Sequence, residues 1–402
     1  MKNFDWIIFI LLLTLMISGI FFIYSASSTK IGQSFETKNY YIKQIVWILL
    51  SIILLWIVQR VPYAAIDFLI IPTYIFTLFL LVLVLFLPEI KGSHRWISLG
   101  FMNFQPSELA KVSIVLLVSK LISKPFISDK KIIGNTLMIT LLPIALIVLQ
   151  PDLGTALIIL ISILTILAVS DFSFFYLVLI ISPIFSVVTS FSPILFISYL
   201  LILIFFLLRT NLSKVIVGFT AVINVFFFII TPIIWNNLHE YQQDRILSFI
   251  NPARNPFGSG YQIIQSKIAI GSGGLFGKGF LMGTQKNLDF LPEHHTDFIF
   301  SIIGEEFGFL GCLFLLTLFF VFLYRLANKI SGLKRKENRY AAVGLFAYLT
   351  FQISINIGMN IGIMPTTGIP LPFISYGGSN MLINVLGIGL ILKFIKEKSI
   401  FK

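Results

Sequence analysis

The chain has 402 residues, of which 57% are hydrophobic and only 11% are charged, and its mean hydropathy is +0.97. Soluble domains have about a quarter charged residues, so this composition excludes an ordinary soluble protein. The net charge of +12 does not indicate nucleic-acid binding, because the basic residues lie mainly in short segments between apolar runs, as in membrane proteins. The single cysteine, Cys312, can form no internal disulfide.

Twelve apolar runs reach or approach the length of about 20 residues that a membrane-spanning helix needs. Backbone groups cannot stay unpaired in lipid, so we predict an all-α fold, a polytopic transmembrane helix bundle of about twelve spans. Residues 1–402 form a single membrane domain. Pro183 and Pro193 interrupt 172–208, which is either one kinked helix or a helical pair. The predicted spans are 5–25, 42–61, 65–87, 106–123, 132–150, 153–169, 172–189, 191–208, 214–235, 297–324, 340–363 and 373–397.

Lysine and arginine set the predicted orientation. Basic residues cluster at 120–131, 325–339 and 393–402. Twelve spans place all three clusters and the N-terminus on one side, which the positive-inside rule assigns to the cytoplasm. The first apolar run, followed by Ser25-Ala26-Ser27, also resembles a cleavable signal peptide. An uncleaved helix is preferred, because cleavage would leave an odd number of spans. The segments predicted to face outward are 26–41, 88–104, 236–296 and 364–372.

Several polar residues lie at or inside the predicted spans, where ionisable groups are costly. Trp96 lies at an outer interface, where aromatic side chains are common. Glu108 and Lys111 are three apart on one helix face and can pair, either to lock helix packing or to form the polar floor of a substrate cavity. Asp152, between two apolar runs, caps a helix or contributes to a site.

The outer loop 236–296 ends where Asp297 meets a new apolar run. A carboxylate at the boundary between water and hydrocarbon tends to have a raised, tunable pKa. Asp297 is therefore the leading catalytic candidate. Arg245, Lys267 and Lys278 are cations in the same loop, each of which is either solvated or part of the site.

Two further segments stand out after Asp297. Glu305 and Glu306 lie about two turns into the helix, and one of them should face the interior beside a donor. The segment 365–379 is rich in helix breakers and predicts a structured outer loop rather than a plain connection. The glycine-rich stretch 271–279 is not a phosphate-binding P-loop, because no Ser or Thr follows its Gly277-Lys278 pair.

Together these strings resemble the SEDS family of bacterial cell-wall glycosyltransferases (RodA, FtsW and SpoVE), and the stretches 264–274 and 283–285 resemble its elongation branch, RodA, more than FtsW. The matching strings run in family order along nearly the whole chain. They are Arg95-Trp96-Ile97, Phe104-Gln105-Pro106-Ser107-Glu108, Gln150-Pro151-Asp152-Leu153-Gly154-Thr155, Gly258-Ser259-Gly260-Tyr261-Gln262, Leu291 to Phe300 and Gly368 to Ser379.

The resemblance implies polymerisation of lipid II, an undecaprenyl-pyrophosphate-linked disaccharide-pentapeptide, into glycan strands at the outer face of the cytoplasmic membrane during cell elongation. Asp297 would act as the general base on the acceptor hydroxyl. Lys111, Arg245 and Lys267 would stabilise the pyrophosphate leaving group, with Mg²⁺ as a candidate cofactor. The residues expected to shape the substrate cavity are Trp96, Glu108 and Asp152.

The same resemblance implies two partners: a class B penicillin-binding protein that supplies transpeptidation, and the proteins of the elongation complex. The chain departs from the family pattern twice. Members usually have about ten spans, so 172–208 is interpreted as an inserted helical pair, and Asn255 replaces the usual acidic residue of its turn. Two other functions stay open at this point: a lipid II flippase, and a non-catalytic scaffold of the cell-wall machinery.

Overall fold

In the computed structural model, the chain is a bundle of α-helices whose connections carry two short β-hairpins. The helices follow the long apolar runs, because a helix pairs its backbone groups within itself. The residues that the structure describes are 4–31, 34–37, 39–90, 93–98, 100, 103–125, 128–210, 213–238, 243–244, 247–249, 251, 260–287 and 295–398.

The helices of the described residues, in chain order, are α1 (Trp6–Ser27), α2 (Tyr40–Arg60), α3 (Tyr63–Val84), α4 (Pro106–Ile122), α5 (Asp129–Leu149), α6 (Leu153–Val169), α7 (Phe174–Thr189), α8 (Pro193–Leu208), α9 (Lys214–Asn237), α10 (Tyr261–Ser272), α11 (Thr284–Asn287), α12 (Ile299–Ser331), α13 (Lys336–Ile361) and α14 (Gly378–Lys398). The antiparallel hairpins pair β1 (Ser28–Ile31) with β2 (Ser34–Thr37), and β3 (Ile97–Ser98) with β4 (Asn103–Phe104).

Each of the twelve predicted spans coincides with a helix. Within the described residues, eight helices are long and apolar enough to cross a membrane, namely α1, α2, α3, α5, α9, α12, α13 and α14. The apolar helices α6, α7 and α8 are shorter, and α4 carries Glu108, Lys111 and Lys120. The run 172–208 is a pair of helices rather than a single kinked one.

Some predicted helix ends differ from the structure. The helix predicted over 297–324 continues to Ser331, and the one predicted from residue 340 begins at Lys336, because charged residues can continue a helix beyond the hydrocarbon. The last helix begins at Gly378 rather than residue 373. Phe373 has a positive φ of 67° and lies in a turn, so the helix cannot begin there.

Helices α13 and α14 form the centre of the molecule. In an apolar 18-residue stretch of each helix, 67% of the residues are buried in α13 and 78% in α14, against 17% in α3 and in α9. Helix α14 packs against α2, and α13 packs against α4 and α6, while α1 packs against α12. We call α1–α6 with α12–α14 the central bundle.

Helices α7, α8 and α9 pack on one another beside this centre and contact it mainly between α6 and α7. We call them the lateral bundle. It has its own small apolar core of Leu203, Leu207 and Val217. It also buries Asn224, whose Nδ2 donates to Ser182 Oγ (2.9 Å) and to the Thr220 carbonyl (2.8 Å).

Ion pairs identify one end of the central bundle. Asp5 pairs with Arg325 (3.1 Å) and Lys329 (2.9 Å), and Lys120 pairs with Asp67 (2.8 Å). The basic residues that the sequence analysis assigned to the cytoplasm therefore gather at this end. Asp297 lies at the opposite end, at the start of α12.

Helix α12 is interrupted at Gly308, which has the left-handed conformation φ 63°, ψ −160°. Residues 271–279, the glycine segment, lie against the interruption. Lys278 N donates to the Glu305 carbonyl and Gly279 N to the Glu306 carbonyl, both at 3.0 Å, while Phe309 N and Leu310 N donate back to the carbonyls of 274 and 275 at 2.8 and 3.1 Å. The glycine segment thus replaces helical hydrogen bonds that α12 lacks at this point.

Candidate functional site at the start of helix α12

Asp297 is half-buried and directly precedes α12. Its main-chain carbonyl accepts two hydrogen bonds from α13, one from Asn356 Nδ2 at 2.9 Å and one from Asn360 Nδ2 at 3.0 Å. Asn360 Oδ1 in turn accepts from the backbone N–H of Ser301 at 3.1 Å. The N-cap residue, Phe298, offers no side-chain cap. Ser301 N also donates to the Phe298 carbonyl at 3.2 Å, so Asn360 is a second acceptor for this N–H in the first turn of α12.

Residues 362–377, which we call the breaker segment, hold the two residues before Asp297. Tyr376 N donates to the His295 carbonyl at 3.1 Å, and Ser375 Oγ donates to the Thr296 carbonyl at 2.5 Å. A Cβ atom added to Gly368, which has φ +70°, would lie 3.5 Å from Asp297 Oδ2. The Asp297 carboxylate therefore faces the breaker segment, which is structured rather than a plain connection.

Aromatic rings lie beside this segment. The His295 ring stacks on Tyr40 with centroids 4.3 Å apart, and Tyr376 lies 5.0 Å from Tyr40. Burial, and then the neighbouring Tyr40, raise the pKa of Tyr376, so its hydroxyl stays protonated at neutral pH. This aromatic group borders the residues that precede Asp297.

A stripe of buried polar side chains runs from Asp297 into the bundle along one face of α13. It comprises Tyr348, Gln352, Asn356 and Asn360, which are spaced by four and so share a helix face over roughly 18 Å. The Gln352 amide also donates to the Pro370 carbonyl at 3.2 Å. The stripe connects the start of α12 with the interior of the central bundle.

Glu108 and Lys111 form an ion pair at the inner part of this stripe. Lys111 Nζ lies 2.8 Å from Glu108 Oε2, and the side chains are only 1% and 5% exposed. Asn380 Nδ2 donates to Glu108 at 3.1 Å, and Lys111 donates to Gln352 Oε1 at 3.4 Å. The pairing indicated by their spacing is therefore observed, and each charge has a second polar partner.

Asp152 is the N-cap of α6, as one of the two interpretations from the sequence held. Its Oδ1 accepts from Thr155 N at 3.3 Å, and its Oδ2 accepts from Gln105 Nε2 at 2.8 Å and Ser107 Oγ at 2.9 Å. These bonds also join α6 to the start of α4. With three donors on one carboxylate, Asp152 holds the starts of α4 and α6 together.

The remaining candidate residues from the sequence lie in different parts of the structure. Trp96 is half-buried in the segment before β3. Lys267 is exposed on α10, next to Ser266, whose Oγ donates to the Asn360 carbonyl at 2.7 Å, so Lys267 lies at the same end as Asp297. Arg245 lies outside the described residues. Lys278 is engaged with Glu305 at 2.7 Å and is not a free cation for the site.

One of the two glutamates of α12 was expected to face the interior beside a donor, and both are buried, at 0% and 1% exposure. The interruption at Gly308 and the packed glycine segment enclose both. Glu305 accepts from Lys278, from Thr284 Oγ1 (2.7 Å) and from Thr284 N (2.8 Å). Glu306 accepts from Ser25 Oγ of α1 at 2.5 Å.

Sequence reasoning missed the asparagines of α13. Their signal was present, because polar amides at a spacing of four within an apolar run indicate a buried polar face. Within the described part of the chain, no three His, Cys, Asp or Glu side chains gather as a metal-binding group. A divalent ion would depend on substrate phosphates for most of its ligands, as Mg²⁺ often does.

The family model described as cell cycle protein, covering FtsW, RodA and SpoVE, matches residues 5–205 and 191–400. The chain belongs to the FtsW/RodA/SpoVE family. It is similar to the peptidoglycan glycosyltransferase MrdB of Escherichia coli K12, with 35% identity over 95% of this chain and 91% of that protein. It is also similar to the peptidoglycan glycosyltransferase RodA of Treponema pallidum, with 32% identity over 97% of each chain.

Solved structures of the FtsW/RodA/SpoVE family share the fold. A chain of a peptidoglycan synthase complex that coordinates polymerisation and crosslinking superposes with a TM-score of 0.73 at 28% identity, covering 99% of both chains. The rod shape determining protein RodA of Thermus thermophilus gives a TM-score of 0.63 at 25% identity, covering 98% of this chain and 97% of that one. The chain is thus an integral membrane protein with the polytopic helical fold of this family.

Proposed function

We propose that this chain is a peptidoglycan glycosyltransferase that polymerises lipid II at the outer face of the cytoplasmic membrane. The relatives carry that activity in their names. The observation that carries the proposal is the placement of Asp297, a half-buried carboxylate held at the start of α12 and facing the breaker segment. Glu108 and Asp152 are assigned other roles, because Glu108 pairs with Lys111 and Asp152 joins α6 to α4.

In this mechanism Asp297 accepts the proton of the acceptor sugar hydroxyl as the hydroxyl oxygen bonds to the donor anomeric carbon. The bond from that carbon to the pyrophosphate oxygen breaks, and undecaprenyl pyrophosphate leaves with the electron pair. One displacement inverts the anomeric configuration, so no covalent enzyme intermediate forms. Proton removal strengthens the nucleophile, and the leaving group takes the developing negative charge.

Cations must stabilise that leaving group, and the three candidates differ in their surroundings. Lys267 is exposed at the same end as Asp297, which suits an incoming pyrophosphate. Lys111 is already neutralised by Glu108, so we assign this pair, with Trp96 and Asp152, to shaping the cavity. Arg245 stays a candidate from the sequence.

The proposal includes a partner and an orientation. The structural neighbour from a synthase complex supports a class B penicillin-binding protein as the crosslinking partner, together with other elongation-complex proteins. The gathering of basic residues at one end of the bundle supports placing that end, with both termini, in the cytoplasm. Asp297 then faces the cell exterior.

Incubating the purified chain and its partner with labelled lipid II, followed by sizing of the products, tests the activity. We expect the wild type to make glycan strands and Asp297→Asn to lose about 100- to 10,000-fold in rate, the usual contribution of a general base. Asp171→Asn, which removes a carboxylate at the opposite end, is the matched control. Strand synthesis by Asp297→Asn at the wild-type rate would exclude Asp297 as the base.

Cysteine labelling tests the orientation. In a Cys312→Ser background, Asn237→Cys at the end of α9 should react with a membrane-impermeant thiol reagent in intact cells. Lys334→Cys, between α12 and α13, should react only after permeabilisation. Both positions are exposed. The reverse pattern would place Asp297 in the cytoplasm and rule out polymerisation at the outer face.

Transport of lipid II across the membrane is a second candidate, favoured by one observation. The buried polar stripe of α13 extends roughly 18 Å into the bundle, so polar groups lie at several depths rather than only at the outer end. A flippase would move fluorescent lipid II between the leaflets of reconstituted vesicles, and Asp297→Asn would leave that movement unchanged. Movement no faster than in protein-free vesicles would exclude it.

A further inference from the structure

The main chain around Asp297 is held by several hydrogen bonds from elsewhere in the fold. Three consecutive carbonyls, those of residues 295, 296 and 297, each accept a hydrogen bond from the breaker segment or from α13. The carbonyl of Asp297 accepts two of these hydrogen bonds. The donors reach the backbone of this residue, so they determine where its carboxylate lies without neutralising it.

Asn356 uses both hydrogens of its amide in this arrangement. One is donated to the Asp297 carbonyl at 2.9 Å and the other to the Ile369 carbonyl at 2.7 Å. A single rigid amide therefore fixes the distance between Asp297 and the breaker segment that its carboxylate faces. The side chain is fully buried, so water cannot readily replace a lost donor.

Asn360 connects the same carbonyl to three further groups. Its Nδ2 donates to Asp297 O at 3.0 Å and to Asn356 O at 2.9 Å, while its Oδ1 accepts from Ser301 N. Ser266 Oγ of α10 donates to the Asn360 carbonyl. Asn360 thus joins the start of α12, the end of α13 and the outer loop at one point, beside Asp297.

We propose that Asn356 and Asn360 are positioning residues for Asp297, and that they act on turnover by fixing its main chain at the mouth of α12. This inference rests on the proposed function. Neither amide is assigned a contact with substrate. Their effect comes from geometry, since a displacement of about 1 Å in a reacting group can lower a rate about 100-fold.

The lateral bundle provides a matched control. Asn224 is also fully buried and also donates both amide hydrogens, to Ser182 Oγ and the Thr220 carbonyl, but it lies on α9 in the lateral bundle, whereas the donors to the Asp297 carbonyl lie on α13. Replacing it by Leu removes a buried amide of the same size, whose Oδ1 in addition accepts hydrogen bonds from Ser186 and Tyr199. The comparison therefore separates loss of helix packing from loss of Asp297 position.

The test measures kcat and KM for lipid II polymerisation by the full-length chain with its partner. We expect Asn356→Leu and Asn360→Leu, each prepared separately, to lower kcat about 100-fold with KM within about threefold of wild type. Asn224→Leu should keep kcat within about twofold, scaled to the folded fraction. Loss of kcat in all three variants in proportion to folded protein would overturn the inference.

Coupling to Asp297 gives a second kinetic measurement. In an Asp297→Glu background the longer side chain already displaces the carboxylate, so Asn356→Leu should cost at least tenfold less in kcat than it does in the wild type. Residues that act through one another show such non-additivity. Losses that simply multiply would indicate an independent structural role and contradict the proposal.

Hydrogen exchange distinguishes failure of the inference from failure of the proposed function. Asn356→Leu and Asn360→Leu should speed amide exchange at Ser301 and Tyr376, whereas Asn224→Leu should not. If the wild type makes no glycan but exchange changes as expected, the proposed function fails and the positioning of Asp297 stands. Unchanged exchange at both amides would refute the positioning role whatever the activity.

Discussion

The central and lateral bundles both bury asparagine networks, but only one of them includes charged groups. In the lateral bundle, Asn224 bonds to Ser182, Ser186, Tyr199 and Thr220, all neutral. In the central bundle the asparagines of α13 and α14 continue to Asp297 at one end and to the Glu108–Lys111 pair at the other. Similar hydrogen bonds therefore serve packing in one region, and in the other they hold the main chain of Asp297 and the side chains of Glu108 and Lys111.

This difference explains why a buried amide alone does not identify a site in a membrane protein. Hydrogen bonds between helices in lipid contribute modestly to stability, and a neutral network requires no function beyond packing. A buried charge is costly without a partner, so a network that encloses one has a second role to account for. The network of the central bundle encloses buried charges, whereas no charged side chain is seen in the described network around Asn224.

The largest expected effect concerns the buried ion pair. Lys111→Ala leaves Glu108 unpaired and should lower the free energy of unfolding by about 3–5 kcal/mol. The double swap Glu108→Lys with Lys111→Glu should recover part of that loss. Lys120→Ala is the matched control, because Lys120 pairs with Asp67 at the same 2.8 Å but is partly exposed, and such pairs contribute about 0–1 kcal/mol.

Thermal unfolding in detergent measures both variants. Equal destabilisation by Lys111→Ala and Lys120→Ala would remove the distinction between a buried charged network and an ordinary surface pair. If the double swap loses as much free energy of unfolding as Glu108→Lys and Lys111→Glu lose together when made singly, the two residues do not interact.

A smaller effect is expected in the lateral bundle. Asn224→Leu removes hydrogen bonds that link α9 to α7, and should lower the free energy of unfolding by about 0.5–2 kcal/mol. Glycan synthesis by the folded fraction should stay at the wild-type rate. A large loss of activity without a matching loss of stability would show that the lateral bundle takes part in catalysis, and would break the comparison.

The smallest effect concerns Asp171, which lies between α6 and α7 where the two bundles meet. A hydrogen bond from Lys336 holds the pKa of Asp171 below its ordinary value of 3.8. The interaction therefore stabilises the fold above that pH and is lost as the pH falls below it. Asp171→Asn should slightly lower the unfolding temperature at pH 6, and wild type and variant should converge as the pH falls through the lowered pKa of Asp171. A constant difference across this range would contradict the assignment.

Much of this architecture was accessible from the sequence. Apolar runs of membrane length gave a helix at every predicted span, because backbone pairing in lipid leaves few alternatives. Spacing alone brought Glu108 and Lys111 together, since residues three apart share a helix face. The placement of Asp297 at a helix mouth followed from the change of polarity at 297–298.

Other features depended on contacts between distant parts of the chain. The interruption of α12 requires hydrogen-bond donors and acceptors from the glycine segment. No local sequence pattern around Gly308 predicts these partners. The burial of both Glu305 and Glu306 follows from the same packing. Asn356 and Asn360 stood out as polar residues in an apolar run, but their partners come from α12 and the breaker segment, which sequence spacing on α13 could not supply.

The bend in α12 also has a consequence for how the chain is assembled. The glycine segment leaves the ribosome before α12 does, because synthesis runs from the N-terminus. A Cβ at Gly277 would lie 2.1 Å from the Glu306 carbonyl oxygen, and one at Gly273 2.0 Å from that of Gly304. The segment that the bend packs against is therefore already synthesised when α12 emerges. A side chain at either glycine would push the glycine segment away from α12 and remove the hydrogen bonds that join them.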